Sequence, residues 1–213
     1  MTTQVQVEYN PIGFVLVDFS KELLKPIFKE VNKIQKDFKK AIKYNNQLAG
    51  NIEHEYALTE CKPDLEKLFF PVIQHHMERD KYVENLGVCT RDINIRLDNA
   101  WVNFQKKYEF NPIHNHSGVF SFVIWLKAPY SIYKEMSRKS SINSNSNSPA
   151  HFSFHYTNSL GTITTQCLPV DKDWECKAAL FPSSLAHSVN PFYTSDKYRI
   201  SVSGNFKFDV GYE

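Results

Sequence analysis

The sequence has no apolar run long enough to span a membrane, and its first 30 residues lack the apolar core of a secretion signal. Asp18, Glu22 and Glu30 interrupt that first segment. Cysteine is scarce as well, and none of the four cysteines belongs to a Cys-x-x-Cys pair. We therefore expect an intracellular, cytoplasmic protein with reduced, partly buried structural thiols. These thiols belong to Cys61, Cys89, Cys167 and Cys176.

A strong net charge is also missing, since 25 Lys and Arg residues against 23 Asp and Glu residues leave +2. This balance disfavours a nucleic-acid partner or a charged membrane surface. Lysines do cluster between Lys21 and Lys43, but they alternate with apolar residues, as on a solvated helix face. Aromatic residues are plentiful, with 16 Phe and 11 Tyr, and can form a sizeable core. The length predicts one domain over residues 1–213.

Apolar residues at steps of three and four predict two helices in the N-terminal part. The first is expected over residues 20–46, with Ser20 as its N-cap, although Pro26 could mark the true start. The second is expected over residues 63–85, with a break or kink at Pro71. One or two short strands, near residues 5–9 and 14–17, should precede them.

After residue 90 the pattern changes to short alternating segments rich in β-branched and aromatic residues. Six to eight strands without interleaved helices predict an antiparallel barrel or jelly roll. The fold class is therefore α+β, mainly β: a double-stranded β-helix over residues 91–213, with strands and two supporting helices in residues 1–90. The clearest strands are expected at 94–105, 120–127, 151–157, 162–168, 177–181 and 199–208.

One segment differs in composition from the rest. Residues 137–149, SRKSSINSNSNSP, contain one hydrophobic residue in thirteen and should lie on the surface. We expect the wider segment, residues 131–150, to be mobile. Beside an active-site mouth it could serve as a lid, although a plain surface loop is the simpler interpretation.

Two histidines in NPIHNHSG (residues 111–118) are candidates for metal ligands. His114 and His116 are separated by one residue, so on a strand both imidazoles point to the same face and can reach one metal ion. His187, in FPSSLAHSVNP, can supply a third ligand from a distant strand. A His-x-His pair also occurs by chance on surfaces, so the third histidine is what strengthens the prediction.

Arg199 and Ser201 lie two residues apart and share a strand face. A guanidinium group beside a hydroxyl group makes a good clamp for a carboxylate, because both donate hydrogen bonds. An arginine that points into an apolar barrel needs such a partner. A salt bridge on an edge strand is the alternative interpretation of Arg199.

This order of residues resembles the iron(II)- and 2-oxoglutarate-dependent oxygenase superfamily. The blocks WVNFQKKYEFNPIHNHSGVFSFVIWLKAP, ALFPSSLAHSVNPF and YRISVSGNFKF are similar to 2OG-Fe(II) oxygenases encoded by marine tailed phages and some bacteria. The resemblance covers residues 100–208, and the N-terminal helices fit the family layout only loosely.

The resemblance implies an oxygenase with iron(II) as cofactor and 2-oxoglutarate as cosubstrate. It would use O2 to convert 2-oxoglutarate to succinate and CO2 while hydroxylating a small molecule or a protein side chain. His114 falls at the first metal ligand, His187 at the distal ligand, and Arg199 with Ser201 at the pair that holds the C5 carboxylate. A phage-encoded enzyme would work in the host cytoplasm.

His116 departs from the superfamily pattern, because it stands where a carboxylate is usual. Two options stay open: three imidazoles bind the iron, or His116 lies outside the ligand set and the metal has fewer protein ligands. Without the carboxylate the site carries one more positive charge. It should still bind the 2-oxoglutarate dianion, but imidazoles also admit Zn²⁺, Ni²⁺ or Cu²⁺.

Other residues offer weaker signals. Asn103 lies in the middle of a strand before the metal segment, and it could bond 2-oxoglutarate, a metal-bound water or a structural partner. Trp125 and Phe122 are expected in the core. His151 and His155 follow the loop and could line the pocket. The better expectation for His75, His76, His151 and His155 is an exposed position without a role in the site, and His54 offers no signal.

Two rival functions also fit parts of the sequence. A cupin-like metal protein uses His-x-His on a barrel strand, but its motif adds a glutamate where Phe120 and Ser121 stand here. A non-enzymatic jelly-roll module, such as a phage structural or host-binding protein with a relict site, is compatible with the missing carboxylate. Turnover of 2-oxoglutarate that depends on iron(II) separates the oxygenase from both.

Overall fold

The computed structural model describes residues 6–10, 12–87 and 94–209. These residues form eleven β-strands and four α-helices. The strands are β1 (Gln6–Tyr9), β2 (Val15–Asp18), β3 (Glu55–Ala57), β4 (Ile95–Gln105), β5 (Asn111–His114), β6 (Phe120–Lys127), β7 (Phe152–Thr157), β8 (Ile163–Leu168), β9 (Lys177–Pro182), β10 (Ala186–Val189) and β11 (Arg199–Phe208). The helices are α1 (Lys25–Lys36), α2 (Lys62–Asp80), α3 (Tyr82–Leu86) and α4 (Ile132–Met136).

The strands form two antiparallel sheets. The larger has the order β1-β2-β9-β6-β11-β4-β3, and the smaller has the order β5-β10-β7-β8. A core made of side chains from both sheets lies between them, with Val123 and Trp125 from β6 against Phe152 and Phe154 from β7. Two packed antiparallel sheets of this kind are the jelly roll that the sequence predicts, so the fold class is confirmed.

The side chains of strand β6 alternate between the two faces of the larger sheet: one face packs against the helices, and the other faces the smaller sheet. The ring of Phe122 stacks on Phe69 of α2, with ring centroids 4.3 Å apart. Ser121, Val123 and Trp125 occupy the alternate positions, on the side of the sheet that faces the smaller sheet. The strand is buried on both faces, which explains its nearly continuous apolar sequence. As predicted, the N-terminal helices pack on the outside of the β-structure.

Helix α1 is shorter than the sequence predicts. It begins at Lys25, near Pro26, but ends at Lys36 instead of near residue 46. Asp37 has an extended backbone (φ −151°), and its side chain accepts a hydrogen bond from the N–H of Lys39, which starts a 3-10 turn. The apolar spacing continues past this break, but Ile42 is 62% exposed and takes no part in a buried face.

Helix α2 continues through Pro71, so the predicted break at that residue is wrong. The helix ends at Asp80, because Lys81 adopts a left-handed conformation (φ 48°) that α-helix cannot continue through. The short helix α3 follows this residue. The single helix expected over residues 63–85 is therefore two helices.

The predicted strands agree closely with the observed ones, and 120–127 and 199–208 have the expected bounds. Strand β3 was not predicted. The expectation of no helices among the strands is also wrong, because α4 and a 3-10 turn (Lys172–Trp174) lie between them. Both insertions are too short to show a helical period in the sequence.

The segment 131–150 has more structure than its composition suggests. Its first part forms α4, where the buried carboxylate of Glu135 accepts hydrogen bonds from the backbone N–H groups of Tyr193 and Thr194. At its end, the carbonyl of Ser148 accepts a hydrogen bond from the side chain of Asn190. The segment therefore attaches to the loop between β10 and β11, while its mobility stays a prediction.

Candidate metal centre

His114 and His187 lie on adjacent strands of the smaller sheet. His114 is the last residue of β5, and in the antiparallel pairing of β10 with β5 it is the direct partner of His187. Directly opposed residues of such a pair have neighbouring side chains, and the two imidazole centroids are 4.3 Å apart. Strand pairing thus brings together two histidines that lie 73 residues apart in the sequence.

His116 reaches the same point from the loop after β5. The sequence predicts both histidines of the His-x-His pair on one strand, but the strand ends at His114 and His116 follows it. The N–H of His116 donates to the carbonyl of Ser183 in the loop after β9, which fixes the turn. The Nε2 atoms of His116 and His187 are 3.2 Å apart.

Together the three side chains form a cluster with the spacing of metal ligands. One nitrogen from each of His114, His116 and His187 lies within 4.8 Å of the others. Two nitrogens bound to one metal at about 2.1 Å and at roughly 90–110° are about 3.0–3.4 Å apart. The 3.2 Å separation of His116 and His187 falls in that range.

Local hydrogen bonds select the nitrogen that each strand histidine presents. Nδ1 of His114 lies 2.8 Å from the carbonyl of Pro112, and Nδ1 of His187 lies 3.0 Å from the carbonyl of Leu185. Because a carbonyl only accepts, each Nδ1 carries the proton, and each Nε2 keeps its lone pair for a metal. Metal-binding histidines commonly have such a partner on the other nitrogen.

The surroundings keep these imidazoles neutral. Burial lowers the pKa of His114, and burial and then the neighbouring His114 lower the pKa of His116 to about 4. The pKa of His187 lies well below its ordinary value, first because of burial and then because of the two other histidines. Neutral imidazole is the form that binds a metal ion.

Aromatic side chains make the wall behind His187. Phe152 stacks on its imidazole with centroids 5.5 Å apart, and Phe181 approaches edge-on at 4.9 Å. Trp101 lies 5.6 Å from the imidazole of His116. The predicted core residues Trp125 and Phe122 are buried, and Trp125 also lines this cavity. The wall therefore fixes the imidazole planes and keeps water away from one side of the cluster.

Arg199 is the charged group of the same cavity. It is the first residue of β11, and only 3% of it is exposed. Its guanidinium group donates to the side chains of Gln105 and Tyr130 and to the carbonyls of Ala150 and Asn190. All these acceptors are neutral, so the sequence-based alternative of an edge-strand salt bridge does not describe these contacts.

Ser201 and Asn103 lie side by side on the inner face of the larger sheet. They are direct partners in the pairing of β11 with β4, and the Asn103 amide nitrogen is 3.3 Å from the Ser201 hydroxyl oxygen. Both line the cavity that contains the three histidines and Arg199. The Oδ1 atoms of Asn103 and Asn111 are buried without a hydrogen-bond partner in the described residues.

These features fit an iron(II) ion and a dicarboxylic acid. The cluster offers three neutral nitrogen ligands, of which two have a fixed tautomer. The cavity also presents a buried guanidinium group without a carboxylate among its hydrogen-bond acceptors, and a hydroxyl group two residues away on the same strand. A buried cation of this kind is compatible with an anionic ligand.

Two of the predictions for the other histidines are wrong. His76 is 1% exposed instead of lying on the surface, and its Nε2 is 2.9 Å from the carbonyl of Gly13. His151 is also buried and bonds to the carbonyl of Pro149. The remaining three are partly buried or exposed, and none of the five lines the metal cavity. These are His54, His75 and His155.

Sequence reasoning missed four residues around the cavity. Gln105 and Tyr130 bind Arg199 directly, and Asn111 lines the cavity. Glu55 lies opposite Asn103 in the pairing of β3 with β4, and burial, followed by the charge of Glu109, raises its pKa to about 8. Only the position of Asn111 beside the His-x-His pair offered a signal, because the other three depend on contacts between residues that are distant in the sequence.

No helix of residues 6–10, 12–87 and 94–209 is long and apolar enough to cross a membrane. Cys61, Cys167 and Cys176 are free thiols; Cys61 and Cys176 are buried, whereas Cys167 is exposed, against the expectation of a partly buried structural residue, and Cys89 lies outside the described residues.

Comparison with known proteins gives a family and a fold. Residues 99–205 match the family model described as "Putative 2OG-Fe(II) oxygenase". A search of curated proteins finds no match.

Three solved structures share the fold, and at these sequence identities the similarity concerns the fold alone. A prolyl-4-hydroxylase from Pseudomonas putida has a TM-score of 0.53 and 12% identity, covering 92% of this chain and 93% of that chain. A 2OG-Fe(II) oxygenase family oxidoreductase from Burkholderia pseudomallei has a TM-score of 0.53 and 12% identity, covering 92% and 85%. A Trichoplax adhaerens prolyl hydroxylase in complex with a hypoxia inducible factor peptide fragment has a TM-score of 0.52 and 11% identity, covering 93% and 84%.

Proposed function

Because this chain belongs to the 2OG-Fe(II) oxygenase family, we propose that His114, His116 and His187 hold its iron(II) and that Arg199 anchors its 2-oxoglutarate. The protein is an iron(II)- and 2-oxoglutarate-dependent oxygenase. When bound, the iron supplies the activation of O2 that couples decarboxylation of 2-oxoglutarate, to succinate and CO2, to hydroxylation of a substrate. The chain's own residues supply ligand geometry, cosubstrate orientation and exclusion of water.

The observation that carries the assignment of the metal site is the convergence of three neutral imidazoles from two strands and a loop. The carbonyl groups of Pro112 and Leu185 hold the Nδ1 protons of His114 and His187, so both Nε2 lone pairs are directed by the backbone itself. Metal-binding histidines commonly have such a partner on the other nitrogen, and convergence distinguishes these three imidazoles from His151, which makes the same contact outside the cluster. We therefore take the cluster as a built metal site.

We propose that His116 is a ligand and not an outer group. Its Nε2 lies 3.2 Å from that of His187, a separation compatible with two ligands of one ion. With His116 the donor set has no negative charge, so the metal retains its full +2 charge towards other ligands. This favours the 2-oxoglutarate dianion, and it also makes occupation by Zn²⁺, Ni²⁺ or Cu²⁺ a practical concern during purification.

Arg199 is proposed to bind the distal carboxylate of 2-oxoglutarate, with Ser201 as a further donor. The two residues share a face of β11, and both line the cavity with the histidines. Asn103 donates to Ser201, so it orients the hydroxyl group. An arginine can bind both oxygens of a carboxylate with parallel bonds, which would fix the orientation of the cosubstrate.

For the substrate we propose a protein or peptide side chain, with a small molecule as the alternative. Exposed apolar side chains precede His114 in the sequence: Tyr108, Phe110 and Ile113 are 62%, 39% and 64% exposed. Such residues beside a site can contact an extended chain. The prolyl hydroxylase from Trichoplax adhaerens, which shares the fold, was solved with a peptide. The near-neutral charge still disfavours nucleic acid, and we propose a cytoplasmic location.

The test is succinate formation from 2-oxoglutarate and O2 by protein reconstituted with iron(II). We expect His187→Ala and Arg199→Ala to lower the rate at least a hundredfold at limiting 2-oxoglutarate. His155→Ala is the matched control and should retain the wild-type rate, because His155 lies outside the cavity. Unchanged turnover in His187→Ala and Arg199→Ala would refute the assigned site. No iron-dependent succinate from the wild type would favour the relict-site or cupin-like alternative.

A further inference from the structure

The guanidinium group of Arg199 has no hydrogen-bond donor to spare. Its Nε and one Nη2 hydrogen go to Oε1 of Gln105, the other Nη2 hydrogen goes to the carbonyl of Asn190, and Nη1 serves the hydroxyl of Tyr130 and the carbonyl of Ala150. Arginine has five N–H donors, and these contacts use all five. A carboxylate can therefore bind Arg199 only where an existing acceptor leaves.

One of these acceptors stands on the cavity side. Gln105 lines the cavity together with Arg199 and the three histidines, whereas Tyr130, Ala150 and Asn190 do not. Gln105 ends β4 directly opposite Arg199, the first residue of β11, so the two side chains are cross-strand neighbours. Its Oε1 occupies the fork between Nε and Nη2, which is the edge that a carboxylate binds with two parallel bonds.

The space in front of Arg199 is small. The cavity measures about 40 Å³, room for only a few water molecules, since a cavity needs roughly 10–15 Å³ on the same measure to hold one. A five-carbon dicarboxylic acid needs several times this volume. The aromatic walls are packed, and Gln105 is the flexible side chain between the wall and the guanidinium group. Displacement of Gln105 therefore enlarges the cavity and frees two N–H donors of Arg199.

We propose that Gln105 is an internal competitor of 2-oxoglutarate: its amide oxygen holds the carboxylate-binding edge of Arg199, and the cosubstrate binds by displacing it. This inference rests on the proposed role of Arg199. Gln105 thereby sets the affinity for 2-oxoglutarate without touching the metal. It also favours acids with a distal carboxylate, because only a charged group gains more from the guanidinium fork than a neutral amide does.

Displacement of Gln105 also affects the turn between β4 and β5. The amide nitrogen of Gln105 donates to the carbonyl of Glu109, and the carboxylate of Glu109 accepts from the N–H of Lys106. The same turn contains Tyr108, a non-glycine residue with φ +71°. Binding of the cosubstrate therefore removes one of the contacts that hold this turn, next to the exposed residues that we assign to the substrate.

The experiment measures dissociation constants on the nickel(II)-loaded full chain, in which no turnover occurs. 2-Oxoglutarate is compared with oxalate, which chelates a metal but is too short to reach Arg199. Gln105→Ala should bind 2-oxoglutarate at least tenfold more tightly than the wild type, with oxalate unchanged. Gln105→Glu places a carboxylate on the guanidinium fork of Arg199. It should therefore weaken the binding of 2-oxoglutarate at least tenfold, while the affinity for oxalate again stays unchanged. Gln35→Ala, an exposed glutamine of α1, is the control.

Thermal unfolding without metal gives a second readout. Gln105→Ala leaves two buried donors of Arg199 unpaired and should lower the melting temperature, while the internal ion pair of Gln105→Glu should raise it above that of Gln105→Ala. Equal or weaker binding of 2-oxoglutarate by Gln105→Ala would overturn the inference, as would a parallel change for oxalate. Wild-type affinity for 2-oxoglutarate in Arg199→Ala would instead refute the proposed anchor itself.

Discussion

The buried carboxyl group of Glu55 should make the stability of this protein fall as the pH rises, and Glu55→Gln should remove that effect. Glu55 is 1% exposed and lies opposite Asn103, which lines the cavity with the three histidines. It accepts one hydrogen bond, from the side-chain amide of Asn45. Burial and the nearby carboxylate of Glu109 raise the pKa of Glu55 from 4.5 to about 8.

The size of the effect follows from proton linkage. Between pH 4.5 and 8 the folded protein keeps a proton on Glu55 that the unfolded chain releases, so raising the pH favours unfolding. Ionisation of Glu55 in the unfolded chain costs about 1 kcal/mol of stability at pH 5 and about 4 kcal/mol at pH 7.5. The residue therefore lowers the free energy of unfolding by about 3 kcal/mol across this interval.

Urea denaturation at pH 5.0 and 7.5 measures this difference. Relative to the wild type, Glu55→Gln should gain about 3 kcal/mol of unfolding free energy between the lower and the higher pH, because a neutral amide cannot ionise. Glu78→Gln, an exposed position on α2, is the control and should follow the wild type at both pH values. If Glu55→Gln tracks the wild type with pH, Glu55 is ionised in the folded state and the reasoning fails.

Three further substitutions test separate parts of the structure. Phe69→Ala removes the ring that stacks on Phe122, and the free energy of unfolding should fall by about 3–5 kcal/mol in urea denaturation; a loss below about 1 kcal/mol would contradict the packing of α2 on the sheet. Gly118→Ala places a Cβ atom 2.7 Å from the carbonyl of Phe206 at φ +123°, so it should destabilise by about 1–3 kcal/mol in the same assay, and a neutral result would exclude that close approach. Arg199→Lys keeps the positive charge but loses the planar pair of guanidinium donors. KM for 2-oxoglutarate should therefore rise at least tenfold, with a smaller change in kcat. An unchanged KM would show that this pair of donors does not bind the cosubstrate.

The β-structure could be predicted well because its strands carry their own signal. Residues 120–127 and 199–208 are long apolar or alternating runs, and they became β6 and β11 with the expected bounds. Strand β3 has only three residues, Glu55–Ala57, and exists because β4 offers it an edge. Such a strand is defined by its partner and has no periodicity to detect. The organisation of residues 1–213 as one domain stays a prediction.

The helices show where local patterns mislead. Apolar spacing continued through Phe38 and Ile42, but the side chain of Asp37 gave the backbone a competing hydrogen bond and α1 ended at Lys36. His76 was expected on the surface because His75 and His76 are adjacent on a helix, so their side chains diverge. It is buried because the carbonyl of Gly13, 63 residues away, supplies its partner. Neither contact is visible in the sequence near these residues.

The three histidines were recognisable because their spacing indicates all three and the resemblance indicates His114 and His187. Their convergence in the structure agrees with that prediction, although the ligand roles remain a proposal. Gln105 could not be recognised, since nothing distinguishes it from a surface glutamine until β4 and β11 are paired in register. Its contact with Arg199 spans 94 residues of sequence.

The most direct test of the three-histidine iron centre is an anaerobic crystal structure with iron(II) and 2-oxoglutarate. We predict one iron ion within about 2.0–2.2 Å of the Nε2 atoms of His114, His116 and His187. The distal carboxylate should lie on the guanidinium fork of Arg199. An iron ion bound without His116, or a cosubstrate carboxylate held by a group other than Arg199, would contradict the account.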